Sequence, residues 1–331
     1  MPSFEIEGIV PVVPTPFTNE DNPDLGALAR LLEFAIGGHV CAVCLPAYAS
    51  EFYKLTERER RDLVYRAIEV LDSRLPLVAQ VNHPSAAVVA ETAHEFERAG
   101  AAAVSVAVPR LFALPERDLL RYFDRILTAI GIPLVIQDFN PGGATVGVDF
   151  VQSLHRQHPH FRYLKLEEPL MAAKVWSIVD STGGEVGVID GWGGTYILEL
   201  MDAGICGVMP GLAVADLLQI VWERGRAGDK DGAYELFQQL LPQITYSLQS
   251  LEFYHHAEKA LLVARGVIPN AAVRDATLTV SDLDRAHLGF LNGRIVRLAD
   301  SQACRTAAEA ASSSDRAVRN GPPLPLPEVQ R

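Results

Sequence analysis

The sequence predicts an α/β fold, a closed (β/α)8 barrel of the TIM-barrel type followed by a C-terminal helical extension. Three observations carry that expectation. Short apolar, β-rich runs alternate with longer amphipathic ones eight times, as repeated βα units around parallel strands require. After about residue 225 the alternation stops and only helical periodicity continues. No G-x-G-x-x-G stands after the first run, where the main competitor, an open doubly wound dinucleotide fold, would need it. The expected boundaries are therefore 1–225 for the barrel, 226–310 for a helical extension packed on it, and 311–331 for a disordered, Pro-rich tail.

The strand candidates are IVPVVPTPF (9–17), CAVCL (41–45), PLVAQV (76–81), AAVSVAV (102–108), PLVIQD (133–138), RYLKLE (162–167), VGVID (186–190) and CGVMP (206–210). Among the intervening helices, TERERRDLVYRAIEVLDS is the clearest. Thr56 and Glu59 make a capping box, and Leu63, Val64, Ala67, Ile68 and Leu71 form one apolar stripe. DLGALARLLEFAIGG, SAAVVAETAHEFERAG with Gly100 as its stop, ERDLLRYFDRILTAIG with Gly131, and GTYILELMDAGI obey the same logic. Three further helical stretches begin at Asp229, Phe253 and Ser281, and the PPLPLP of the tail is read as an unstructured end rather than a partner's ligand.

At 331 residues with 49% hydrophobic side chains the chain can bury a large core. Its formal charge of -12 and lack of a long basic run argue against nucleic acid or an anionic membrane as partner, and favour a small molecule. No apolar run reaches membrane-spanning length and MPSFEIEG does not resemble a signal peptide, so a cytoplasmic location is expected. Four cysteines do not make a disulfide framework, and Cys41 and Cys44 lie three apart in a strand, on opposite faces. No H-E-x-x-H or other metal spacing is present, so neither metal nor cofactor is expected.

In a barrel of this kind the chemistry sits at the C-terminal ends of the strands. The polar residues there are Thr15, Ser50 and Glu51, Asn82 and His83, Arg110, Gln137 and Asp138, Lys165 and Glu167, Asp190, and the turn at Pro210-Gly211. Lys165 stands out, because lysine is rarely buried unless paired or functional. A lysine in an apolar pocket can present a neutral amine that attacks a carbonyl. Glu167, two residues on, shares its face. The alternative is an interior ion pair that only fixes packing. His83 reads better as a loop residue than as a base, and His255 and His256 as surface or packing residues. Asp190 reads equally as a helix cap or a ligand for a substrate hydroxyl, and Trp192-Gly193-Gly194 as a place where backbone approaches a ligand.

With GIVPVVPTPF, SEFYKLTERER, IPLVIQDFNP, YLKLEEP and AGICGVMPG in this order, residues 5 to 290 resemble the dihydrodipicolinate synthase/N-acetylneuraminate lyase family of Schiff-base lyases. The resemblance implies that Lys165, 28 residues after Gln137, is the imine-forming lysine, and that the chain is a homo-oligomer, commonly a tetramer. The synthase members' G-T-T-G-E and Y-N-x-P motifs read AYASE (47–51) and QDFNP (137–141) here. Both hydroxyl relays of those motifs are thus expected to be missing, and so is the cross-subunit tyrosine, where VPRLFAL stands. Ser50-Glu51, Gln137-Asp138 and Lys165-Leu166-Glu167-Glu168-Pro169 instead match the subgroup acting on L-2-keto-3-deoxyarabonate.

By resemblance the expected reaction is dehydration of a 2-keto-3-deoxy sugar acid. Lys165, Glu167 and Gln137 would be catalytic. Ala49, Ser50, Glu51, Asp138, Asp190, Gly191, Met209 and Gly211 would surround the 2-oxo acid, with Ser50 and backbone N–H groups near Gly191 and Gly211 on its carboxylate. Retro-aldol cleavage to pyruvate and an aldehyde ranks second, and a non-catalytic barrel that binds a sugar acid third.

Overall fold

The computed structural model describes residues 4–110, 112, 114–141 and 143–319. Its strands are β1 (Gly8–Ile9), β2 (Val43–Leu45), β3 (Leu77–Gln80), β4 (Ala103–Ala107), β5 (Leu134–Phe139), β6 (Phe161–Glu167), β7 (Gly187–Asp190) and β8 (Gly207–Val208). All pair in parallel, in the order β1-β8-β7-β6-β5-β4-β3-β2. Bridges from Val12 to both Cys44 and Gly211 close the ring between β1 and β2. The first strand is shorter than the expected 9–17, because Pro11, Pro14 and Pro16 have no N–H for the ladder.

Eight helices cover the sheet: α1 (Leu25–Gly37), α2 (Glu57–Leu71), α3 (Ala86–Ala99), α4 (Glu116–Leu127), α5 (Val148–Gln157), α6 (Ala172–Ser181), α7 (Ile197–Ala203) and α8 (Ala215–Arg226). The capping box of α2 is formed in both directions by Thr56 and Glu59. Gly100 stops α3 at φ +114°, as expected. Helix α4 instead ends four residues before Gly131, where the Thr128 hydroxyl donates to the Asp124 carbonyl.

Side chains alternate between two cores. Leu77, Val104, Ile136, Leu164 and Val188 face the helices, while Ala42, Cys44, Val78, Ala103, Val135, Tyr163 and Ile189 fill the barrel interior. The Tyr163 hydroxyl accepts from the Ile6 N–H and closes the lower end. The extension consists of α9 (Lys230–Ser247), α10 (Leu251–Ala264) and α11 (Asp282–Arg319). Helix α9 packs on α8, and α10 reaches the turns after β2 and β8. The backbone of α11 runs on to Arg319, into the stretch expected to be disordered, and residues 320–331 with PPLPLP lie outside the described residues. No described helix is long and apolar enough to cross a membrane.

Candidate active site

Strand β6 carries its polar pair inward because the strand alternates: Tyr163, Lys165 and Glu167 point into the barrel while Leu164 and Leu166 pack under the helices. Lys165 is 7% exposed and Glu167 8%, so neither side chain is solvated. Lys165 Nζ lies 2.8 Å from Glu167 Oε1. Gln137 stands beside Lys165 in the β5–β6 register, and its Nε2 donates to the same Oε1 at 2.7 Å. Gly191 leaves room for this arrangement, since a Cβ there would strike the Glu167 side chain.

A residue not anticipated from the sequence fixes Gln137. Gln80, at the end of β3, donates through Nε2 to Gln137 Oε1 at 2.7 Å. That bond commits the Gln137 carbonyl, so its amide nitrogen must face Glu167. Gln80 had the same signature as Lys165, a polar residue inside an apolar strand run. Its own Oε1 receives the Cys44 thiol, whose pKa burial pushes up to about 12.

Lys165, Glu167 and Gln137 line a cavity of about 370 Å³ at the C-terminal end of the barrel. Ala49, Met209 and Gly211 line it as expected. Five other expected contacts do not. Asp138 and Asp190 are paired in register with Leu166, which faces outward, and so they face the helices too. Asp138 accepts from the Val146 N–H at 2.6 Å and pairs with Arg110. Asp190 is fully buried beside the Tyr196 N–H without a well-formed side-chain hydrogen bond, and burial first, then the charge of Glu167, pushes its carboxyl well above the usual range.

Ser50 is fully buried, donating to the Val13 carbonyl at 2.6 Å while its own carbonyl accepts from Thr15, which ties the end of β2 to the β1 segment. Glu51 is also fully buried and holds Lys259 and Lys54. Gly191 spaces Glu167 rather than lining the cavity. His83 accepts from the Ser85 N–H in a loop, and His255 is a packing residue bonded to Tyr53, its pKa lowered by burial to about 3.

The cavity also contains side chains that sequence reasoning did not place there. Tyr48 stands in AYASE, one of the two stretches where a hydroxyl relay was expected to be missing; burial first, then Glu167, raises its pKa. Phe139 and Trp192 complete a run of rings with Tyr48. Leu248 to Leu251 and Tyr254 enter from the α9–α10 junction, far away in sequence, where no local signal marks them. The Tyr254 hydroxyl is bonded to Glu258, whose carboxyl burial raises to about 7 although the Ala213 N–H donates to it at 2.8 Å.

The chain has known relatives. A model of the dihydrodipicolinate synthetase family matches residues 5–290. The chain is 30% identical to L-2-keto-3-deoxyarabonate dehydratase of Azospirillum brasilense over 271 residues, covering 81% of this chain and 87% of that one. It is 25% identical to 4-hydroxy-tetrahydrodipicolinate synthase of Methanococcoides burtonii over 72% of this chain and 81% of that one. The crystal structure of dihydrodipicolinate synthase from Rhodopseudomonas palustris shares the fold with a TM-score of 0.80 at 24% identity, over 89% of this chain and 99% of that one.

Proposed function

As the chain belongs to the dihydrodipicolinate synthetase family, we propose that it is a Schiff-base-forming lyase of a small 2-oxo acid, and that its reaction is dehydration of a 2-keto-3-deoxy acid bearing a C4 hydroxyl. The 2-keto-3-deoxy sugar acids are the class to which the A. brasilense relative's name points. The observation that carries the reading is the buried Lys165–Glu167 pair, open to one cavity and oriented by Gln137.

The Lys165 proton passes to Glu167, 2.8 Å away, and the free amine attacks C2. The carbinolamine hydroxyl takes that proton and leaves as water, giving the imine. Glu167, again a carboxylate, removes a C3 proton, and then returns it to the C4 hydroxyl, which leaves as a second water. General acid–base assistance of this kind contributes about 10² to 10⁴-fold. Gln137 donates to Glu167 and positions it, without moving protons itself. The substrate carboxylate is received by backbone N–H groups of Tyr48 and Ala49, which open a single 3₁₀ turn on the cavity wall and have no intrahelical acceptor. This replaces the expected role of Ser50.

Tyr48 favours a second reading. Its hydroxyl supplies a proton-transfer group in the cavity, so retro-aldol cleavage, in which the C4 hydroxyl loses its proton, stands as the alternative. Borohydride reduction after incubation with pyruvate should leave a mass adduct on Lys165, and Lys165→Ala should abolish it; wild-type protein without an adduct from any 2-oxo acid sinks the proposal. Product analysis then separates the two reactions, with pyruvate release pointing to cleavage. Glu167→Gln should end turnover and slow trapping without abolishing it, since the amine then loses its proton to water instead, and normal turnover in that variant removes Glu167 from the chemistry.

A further inference from the structure

We infer that the arm of the substrate beyond C4 is apolar and unphosphorylated, so that alkyl- or aryl-bearing 2-oxo acids bind better than polyhydroxylated ones. The inference rests on the imine reading of Lys165 and concerns the ring-lined wall of the same cavity. There Tyr48, Phe139 and Trp192 form a continuous set of rings, with centroids 5.5 Å apart between Tyr48 and Phe139 and 6.5 Å between Phe139 and Trp192. Met209, Leu248 and Leu251 extend the same apolar wall. A cavity of about 370 Å³ is within the range, roughly 300–1,000 Å³, of pockets for ligands much larger than a three-carbon acid.

Apart from the Tyr48 hydroxyl, the polar side chains nearest this wall are largely engaged. Ser50 is turned away, towards Val13. Ser250 Oγ accepts from the Phe253 N–H at 3.1 Å as the cap of α10. Gln249 Nε2 donates to the Tyr246 carbonyl at 3.0 Å, and the Tyr254 hydroxyl is bonded to Glu258. A row of substrate hydroxyls brought here would exchange water for few partners, and a polar group buried without a partner is unfavourable.

Charge excludes an anionic arm as well. Among the described residues lining the cavity, Lys165 is the single lysine or arginine. Barrels commonly seat a phosphate on backbone N–H groups in the loop after strand eight. Here Glu258 receives the Ala213 N–H of that loop, and Tyr254 and Glu258 occupy the space beside Gly211 that a Cβ would fill. The protein's own carboxylate stands where a phosphate would.

Imine formation joins Nζ to C2 as the carbonyl oxygen leaves as water, and borohydride then delivers hydride to C2, fixing each bound acid as a countable mass. Titration of short incubations with pyruvate, 2-oxo-4-phenylbutanoate and 4,5-dihydroxy-2-oxopentanoate gives the half-saturating concentration of each. The phenyl acid should trap at a concentration roughly tenfold or more below both others, as burial of its ring predicts. Trp192→Ala and, as a milder change, Phe139→Leu should each shrink the phenyl-to-pyruvate ratio to within about threefold. Equal trapping of all three acids, or preference for the dihydroxy acid, overturns the inference and leaves the imine reading standing; no adduct from any acid overturns both.

Discussion

Gln80 shows how a single side chain sets the state of a site it does not enter. Its amide donates to the Gln137 carbonyl, so the Gln137 amide can only donate onward to Glu167. Gln80→Leu removes that constraint, allows Gln137 to turn its carbonyl towards the Glu167 carboxylate, and should lower kcat by up to about 10²-fold with little change in KM. Gln80→Asn, one methylene too short, should not rescue it; a simple loss of fold would instead depress kcat and the melting temperature together. Residue parity was the legible part of the site. Lys165, Glu167 and Gln137 could be assigned one face from alternation and matched strand ends. The same alternation, carried from Gln137 to Asp138 and from Ile189 to Asp190, puts both aspartates on the helix side, where the structure has them.

Helix α10 holds the site from outside the barrel. Its Lys259, 1% exposed, pairs with the fully buried Glu51, which sits at φ +59°, a conformation disfavoured for any residue but glycine. Lys259 also lies over the Phe17 ring, 4.5 Å from its centroid. Removing one partner leaves an unpaired buried charge, so Glu51→Gln should lose about 3–5 kcal/mol in urea denaturation. The paired replacement Glu51→Leu with Lys259→Met should recover much of that loss, because it removes the two most buried charges while Lys54 keeps Glu252 as its partner.

Glu258 gives the same helix a pH signature. Its carboxyl is raised to about 7 in the folded chain, above the unfolded value of about 4.3, so the folded state holds a proton that the unfolded state has released. The stability from this group is full below about pH 4 and is lost as pH rises to about 7. Glu258→Gln, which does not titrate, should therefore gain stability relative to wild type between those pH values and no further above them. Parallel urea midpoints for the two proteins across pH 4.5 to 7.5 would show that the folded chain holds Glu258 protonated until pH reaches about 7.

At the scale of the molecule the extension completes a wall of the barrel's cavity, since Leu251 and Tyr254 of α10 line the space that β6 opens, and the two are expected to unfold together. A chain ended at residue 226 would leave Glu51 without Lys259 and the Ala213 N–H without Glu258, and should yield no cooperative thermal transition by circular dichroism. The homotetramer that the family resemblance implies is a further prediction, checked by sedimentation equilibrium of the full chain. Arg110, held by Asp138, stands close to where a cross-subunit tyrosine was sought, so mixed oligomers of active and Lys165→Ala chains should retain activity in proportion to their active subunits.

By itself the sequence determined the eightfold βα repeat, the helical extension and the inward Lys165–Glu167 pair, because hydrophobic periodicity and strand alternation are local properties that a single chain displays. Only the tertiary structure decided what surrounds that pair. The cavity wall joins Tyr48, Trp192 and Tyr254 from separate parts of the chain, while Ser50 and Glu51 stand off that wall and tie elements together. Contacts of that kind depend on which strand ends and helices meet in space, and no local pattern around each residue encodes the meeting.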